Sequence, residues 1–340
     1  MSKKCLAAPI LTALIIGLFA VACGKICIKS GIHVGTSACA DPPASPAAAT
    51  ATPAPNLATW VTKTAMQTAH AYAVGGAIGS LFYVAGSSGT TAQEEYDPGA
   101  SSWTSKASMP TSRTYVGGVV IGTKLYIAGG CVSGDCLAGL TGLLEAYDSG
   151  TNTWATKASI PVVLNSMGIG VVNGKLYAVG GMQACAPCTA RTSLYVYDPT
   201  GDTWSTKTSM TTARLNVMAA SVNNTLYAIG GATGNTQLAT VEAYDPGSDT
   251  WSTKASMPTA RSAATAAVVN GLIYVIGGSV TAGTTNIVEI YDPSSDSWTS
   301  TTSMPTARHH TASAAIGNVI YVGGGNDASN TSLATLEELQ

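Results

Sequence analysis

The sequence predicts an all-β chain: six copies of one small four-stranded sheet, closed into a ring by the chain's own first strand. Three observations carry this reading. Six tryptophans, Trp60, Trp103, Trp154, Trp204, Trp251 and Trp298, recur at intervals of 43, 51, 50, 47 and 47 residues. Each is followed 26 residues later by a glycine pair, from Gly129-Gly130 to Gly324-Gly325, written Gly86-Ser87 in the first copy. The last copy stops one strand short, and the segment around Trp60 is a strand with no partners before it.

Fixed intervals locate the strands. A tyrosine stands three residues before each glycine pair, and another stands seven before each tryptophan from Trp103 on. All variation in length falls between the glycine pair and the next tyrosine. Paired strands cannot change length without losing register, so a surface loop sits there. Within one copy the first strand is read in RSAATAAVVN (Arg261–Asn270), whose small residues suit a narrow hub. An Asn-Gly turn leads to the second, LIYVIGG (Leu272–Gly278). After the variable loop comes IVEIYDP (Ile287–Pro293), then SWTSTTSM (Ser297–Met304). The Asp-Pro between them makes the turn, because Pro presets φ and Asp bonds its own backbone. The C-terminal SLATLEELQ supplies a third strand, and Thr59–Met66 completes that last sheet as its fourth. No open edge then remains.

Only 10% of residues are charged and the formal net charge is −2, so recognition of nucleic acid by phosphate neutralisation is not expected. Lys3 and Lys4 precede an apolar run from Leu6 to Ala22, the layout of a secretory signal over residues 1–22. Ala20-Val21-Ala22 suits an ordinary signal peptidase; followed by Cys23 it also resembles a bacterial lipoprotein signal, with Cys23 carrying the lipid. An uncleaved membrane anchor is the third alternative. Residues 23–58 end in a Pro/Ala-rich tether, DPPASPAAATATPAPNLA, which buries nothing and stays extended. Residues 59–340 are the folded body. The expected location is outside the cytoplasm, in a bacterial cell envelope or secreted, with membrane contact only through the N-terminal lipid or anchor.

The glycine pair, the spaced Tyr and Trp and the loop position resemble the kelch repeat, over roughly Asn56 to Gln340. That resemblance implies a six-bladed β-propeller. One copy departs from the pattern, with Ile160 for Met, Leu164 for Arg and Tyr195 for the Glu that elsewhere precedes the third-strand tyrosine by two.

Strands alternate in direction, so the variable loops open on the same face as the links between successive sheets. Those links carry Arg113, Arg214, Arg261 and Arg308, with His70 and Leu164 at the matching places. Two readings of the arginines stand side by side: a cation ring that receives a carboxylate or phosphate, or guanidiniums that hold turn carbonyls. His70, Arg113, Arg214, Arg261, Arg308 and His309 are the candidate binding residues. Six cysteines remain in the exported chain if Cys23 is lipidated. Structural disulfides are expected among Cys27, Cys39, Cys131, Cys136, Cys185 and Cys188, the local pairs Cys131–Cys136 and Cys185–Cys188 needing least rearrangement. Zinc held by the last four, or a redox pair at Cys185 and Cys188, is the alternative.

No cofactor, metal site or catalytic residue is assigned. The expected function is binding of a glycan or protein partner through the loop-rich face, by a monomer. Some kelch-like propellers are enzymes, copper sugar oxidases and sialic-acid mutarotases, so the resemblance also implies a carbohydrate-active alternative. For that alternative Arg308 beside His309 is a minimal acid–base candidate.

Overall fold

The computed structural model describes residues 58–340 apart from 88, 133–135, 137, 138, 186 and 187, and the side chains of 184–188 are not described. The expected signal, the tether and Cys23, Cys27 and Cys39 lie outside the described residues. Six four-stranded antiparallel sheets, here blades I to VI, are each ordered from hub to rim. Blade I comprises Val74–Ile78, Leu81–Ser87, Thr90–Asp97 and Ser102–Ser105. Blade II comprises Gly117–Ile121, Lys124–Ala128, Leu144–Asp148 and Thr153–Lys157. Blade III comprises Gly168–Val172, Lys175–Val179, Leu194–Asp198 and Thr203–Lys207. Blade IV comprises Met218–Val222, Thr225–Ile229, Val241–Asp245 and Thr250–Lys254. Blade V comprises Thr265–Val269, Leu272–Ile276, Val288–Asp292 and Ser297–Ser300.

Blade VI holds the seam. Its first three strands are Ala312–Ile316, Val319–Gly323 and Leu336–Leu339. Trp60–Lys63 is the fourth, in register with Trp60 opposite Leu339 and Lys63 opposite Leu336. The ladder continues outward, since Thr59 and Gln340 exchange N–H···O bonds of 3.3 and 3.0 Å. The first and last residues of the ring thus share one sheet, as the sequence predicts.

Two details differ from the sequence reading. The expected strand Arg261–Asn270 begins only at Thr265, because Ala263 has φ +52° and the chain turns there. The variable loops of blades III, IV and V also carry small hairpins of their own: Met182–Cys185 with Cys188–Ala190, Ala232–Thr233 with Thr236–Gln237, and Ser279–Val280 with Gly283–Thr284.

The core lies between blades. One cluster joins Tyr126, Leu144 and Ala146 of blade II to Leu176, Ala178 and Tyr197 of blade III. At the hub the blades nearly touch: a Cβ on Gly118 would lie 2.4 Å from Val74 of the preceding blade. The repeated letters now acquire partners. Each tryptophan reaches back one blade and donates its indole N–H to a carbonyl, as Trp298 does to Ala255 at 2.9 Å and Trp60 to Thr302 at 2.9 Å. In blades II to V the third-strand tyrosine hydroxyl donates to the residue two before the tryptophan, as Tyr244 does to Asp249 at 2.7 Å. That carboxylate also accepts the backbone N–H of Thr208 in the preceding blade at 3.0 Å.

Candidate functional site

The links and variable loops do share one face. Thr114 is bridged to Cys131, Ser262 to Ser279 and His309 to Asn326, each a link residue paired with the start of its own blade's loop. The expected cation ring is present beneath this face, but it is not on it. Arg214, Arg261 and Arg308 are 0% exposed and Arg113 is 1% exposed. Their guanidiniums donate to Glu242, Glu289, Glu337 and Glu145 at 3.0, 2.8, 2.8 and 2.7 Å.

Each arginine also donates from its Nη atoms to main-chain carbonyls of the same blade, as Arg113 does to Gly129, Leu143 and Ile127. Burial pulls the guanidinium of Arg214 down to about 10 while Glu242 opposes the shift, so the group stays charged at neutral pH. The arginine's own carbonyl faces the other way. That of Arg308 accepts the N–H of Gly278 in the preceding blade at 2.8 Å. Gly277 must be glycine, because at φ +64° a Cβ would sit 2.5 Å from that same carbonyl oxygen. Arg214, Arg261 and Arg308 therefore each latch two blades, and none of the four arginines turns a charge toward a ligand. Of the two readings the sequence left open, the structure shows the one that holds carbonyls.

His70 is likewise 0% exposed, with Nδ1 2.8 Å from the Gly86 carbonyl and Nε2 3.3 Å from Glu94. Leu164 and Tyr195, the departures in blade III, occupy the arginine and glutamate positions of one pair and pack in one cluster. His309 is nearly buried at 7%, and its Nδ1 lies 2.7 Å from Nδ1 of His310, one ring donating and the other accepting. The Cys131–Cys136 disulfide is formed. The backbone places 185 and 188 opposite each other in their hairpin; whether they bond lies outside the described side chains.

What the face does present is the mouth of a central channel. Two residues after each arginine position stand Tyr72, Tyr115, Ser166, Asn216, Ala263 and His310. All six adopt positive φ, from 48° to 59°. Their backbones are tied around the axis. His310 donates its N–H to the Ala263 carbonyl at 2.8 Å, Ala263 to Asn216 at 3.0 Å, Asn216 to Ser166 at 2.7 Å and Ser166 to Tyr115 at 2.9 Å. Tyr72 donates to His310 at 3.1 Å. This collar holds the six positions around a mouth cavity of about 110 Å³ that they line.

Below it the channel runs between the first strands, through cavities of about 170 and 420 Å³ walled by Gly, Ala, Val and Ser, with Met and Ile in places. Blades VI, I and II give the mouth an aromatic side: the Tyr72 ring lies 4.3 Å from both Tyr115 and His310, centroid to centroid. Blades III and IV give it a hydroxyl and an amide. Blade V gives only the small side chains of Ala263 and Ala264, leaving a gap among the longer ones. Burial, aided by His309, lowers His310 to about 3, so its ring is neutral at physiological pH. Among the described residues no group of three or more His, Cys, Asp or Glu side chains is placed to hold a metal ion.

Sequence reasoning placed none of the six mouth residues in a candidate site. No repeated letter marks them, because the three residues after the arginine position all change from copy to copy.

A family model described as the KLHDC2/KLHL20/DRC7 Kelch-repeats domain matches residues 169–339, half of the chain. A kelch motif model matches residues 112–161. The chain belongs to the kelch-repeat family. Among solved structures, this kelch propeller is similar to YjhT, with a TM-score of 0.72 over 81% of this chain and 95% of that one. Identity is 17%, so the likeness extends to the fold alone.

Proposed function

We propose that this kelch propeller is an extracytoplasmic binding module, held to the envelope through its N-terminus at Cys23, that takes a glycan or protein partner on its loop-bearing face. The observation that carries the reading is the contrast between that face and the rest of the ring. Repetition fixes the blades, the latches and the rim, whereas the mouth collar and the loops above it differ from blade to blade. Three neighbouring loops rise as hairpins on blades III to V, and Thr281 of one reaches Gln237 of the next at 3.4 Å. Recognition needs such local difference on a rigid frame.

The test compares the full chain with a variant whose hairpins at 232–237 and 279–284 are cut to tight turns, on a glycan array and against envelope extract. Ligand captured by the full chain and lost in the trimmed chain supports the reading. Equal capture by both, or none by either, overturns it.

One observation favours a carbohydrate-active enzyme as second reading: the His309–His310 pair places a neutral imidazole on the mouth cavity, where acid–base work would be done. Acceleration of sugar anomerisation, followed by NMR and lost in His310→Ala, is the outcome that reading requires.

A further inference from the structure

We infer that the channel mouth is a subsite for a neutral, ring-shaped polyol of the pyranose class, seated against Tyr72 and Tyr115 in the gap above Ala263. This rests on the proposed role of the loop face and narrows it to one place and one ligand chemistry.

Size comes first. The cavity measures about 110 Å³ and one water takes roughly 30 Å³ of liquid, so it has the volume of roughly four waters, room for one face of a sugar ring. Shape agrees, because the mouth is two-sided. The aromatic side offers two phenol rings tilted at 48° to each other, apolar surfaces for the C–H face of a saturated ring. The opposite side offers the Ser166 hydroxyl and the Asn216 amide, which both donate and accept, as hydroxyls require. The Ala263 gap lies between them.

Charge decides the class. The mouth is lined by Tyr72, Tyr115, Ser166, Asn216, Ala263 and His310 with the apolar or hydroxyl residues beneath them, and none of these carries a formal charge. The four arginines that would have served an acidic ligand are sealed beneath and already paired with glutamates. The one titratable imidazole is neutral. A carboxylate placed here would lose its water without gaining a cation. A neutral polyol loses only hydrogen bonds that the mouth replaces.

The experiment titrates the full chain with methyl hexopyranosides of gluco, galacto and manno configuration, and with glucuronate and galacturonate, by saturation-transfer NMR. At least one neutral glycoside is expected to bind at least tenfold more tightly than either uronate. Ala263→Tyr, a residue already tolerated at this φ in Tyr72 and Tyr115, fills the gap and is expected to cut binding at least tenfold with thermal melting unchanged. Should Ala263→Tyr unfold the chain, Asn216→Leu is the second variant. It keeps the cavity but removes the amide, and the same loss is expected. Uronates binding as tightly as the glycosides overturn the ligand class and leave the binding face standing, as does binding indifferent to both variants. No response to any sugar, while loop trimming still abolishes capture of another ligand, overturns this inference alone; failure in both experiments overturns the two together.

Discussion

Arg261 donates to Glu289 at 2.8 Å across 28 residues of chain, with both side chains shut away from water. The pair spans the variable loop, joining the link that precedes blade V to that blade's third strand. Thr259, two residues earlier, donates its hydroxyl to the other carboxylate oxygen at 2.6 Å. The recurrent Thr and Arg of the link are thus two donors for one buried acceptor.

Removing one member leaves a buried charge unpaired. Glu289→Ala is expected to lower the unfolding free energy by about 3–5 kcal/mol in urea titrations. Blade III supplies the apolar alternative, since Leu164 and Tyr195 stand where the ion pair stands elsewhere. The double variant Arg261→Leu with Glu289→Tyr is therefore expected to lose less than half as much as Glu289→Ala. A double variant as unstable as the single one would show that the pair cannot be exchanged as a unit.

Blade I carries a defect that the other blades identify. Tyr147, Tyr197, Tyr244 and Tyr291 donate to Asn152, Asp202, Asp249 and Asp296 at 2.9, 2.7, 2.7 and 2.6 Å. In blade I the acceptor position is Ser101, and the buried hydroxyl of Tyr96 has no partner among the described residues. Ser101 has φ +51°, a conformation that asparagine accepts readily. Ser101→Asn is expected to stabilise the chain by about 1 kcal/mol, read as a higher urea midpoint at unchanged slope. No gain in midpoint would mean that the tyrosine is not the limiting group.

The fold was legible because a ring of sheets imposes one spacing on Tyr, Gly and Trp, and spacing survives in a linear string. The closing strand could be read because blade VI ends after Leu336–Leu339 and Trp60 begins without partners. The arginines misled for a physical reason. A cation flanked by Thr and Ala in a link between strands looks solvated, and the carboxylate that buries it lies 28 to 32 residues on, beyond a loop of changing length. The mouth hid for the opposite reason. Its six positions share a backbone conformation and not a residue type, so Tyr115, Ser166 and Ala263 show no common letter.

The same tyrosines set the alkaline limit of the fold. Burial, followed by the nearby Glu95 charge, pushes Tyr147 up to about 12. Burial, followed by hydrogen bonding to Asp202, Asp249 and Asp296, raises Tyr197, Tyr244 and Tyr291 as well. An unfolded tyrosine ionises near pH ~10. A folded value above the unfolded one means that this stabilisation is fully present below pH ~10 and is lost as pH rises through the folded value. Tyrosinate absorbance at 295 nm is therefore expected to rise in two stages, the second coinciding with loss of the far-ultraviolet dichroism of the sheets. One smooth titration of all 14 tyrosines near pH ~10 with the sheets intact would contradict the burial.

The seam offers the last test, because Trp60–Lys63 closes the ring without a covalent link to the blade it completes. Val61 faces Glu338, one alternation along the ladder from the doubly bonded pair Thr59 and Gln340. Its N–H therefore points into the sheet, and proline there removes a ladder bond and crowds the partner strand. Val61→Pro is expected to cost about 3 kcal/mol. Val61→Thr, which keeps the N–H and the branching, is expected to cost under about 1 kcal/mol. Releasing the strand also bares the edge of Leu336–Leu339, so the proline variant is expected to gain protease cleavage near the C-terminus and to self-associate in size-exclusion chromatography. If Val61→Pro matches the parent in stability and protease resistance, the strand contributes nothing to closure and blade VI stands on three strands.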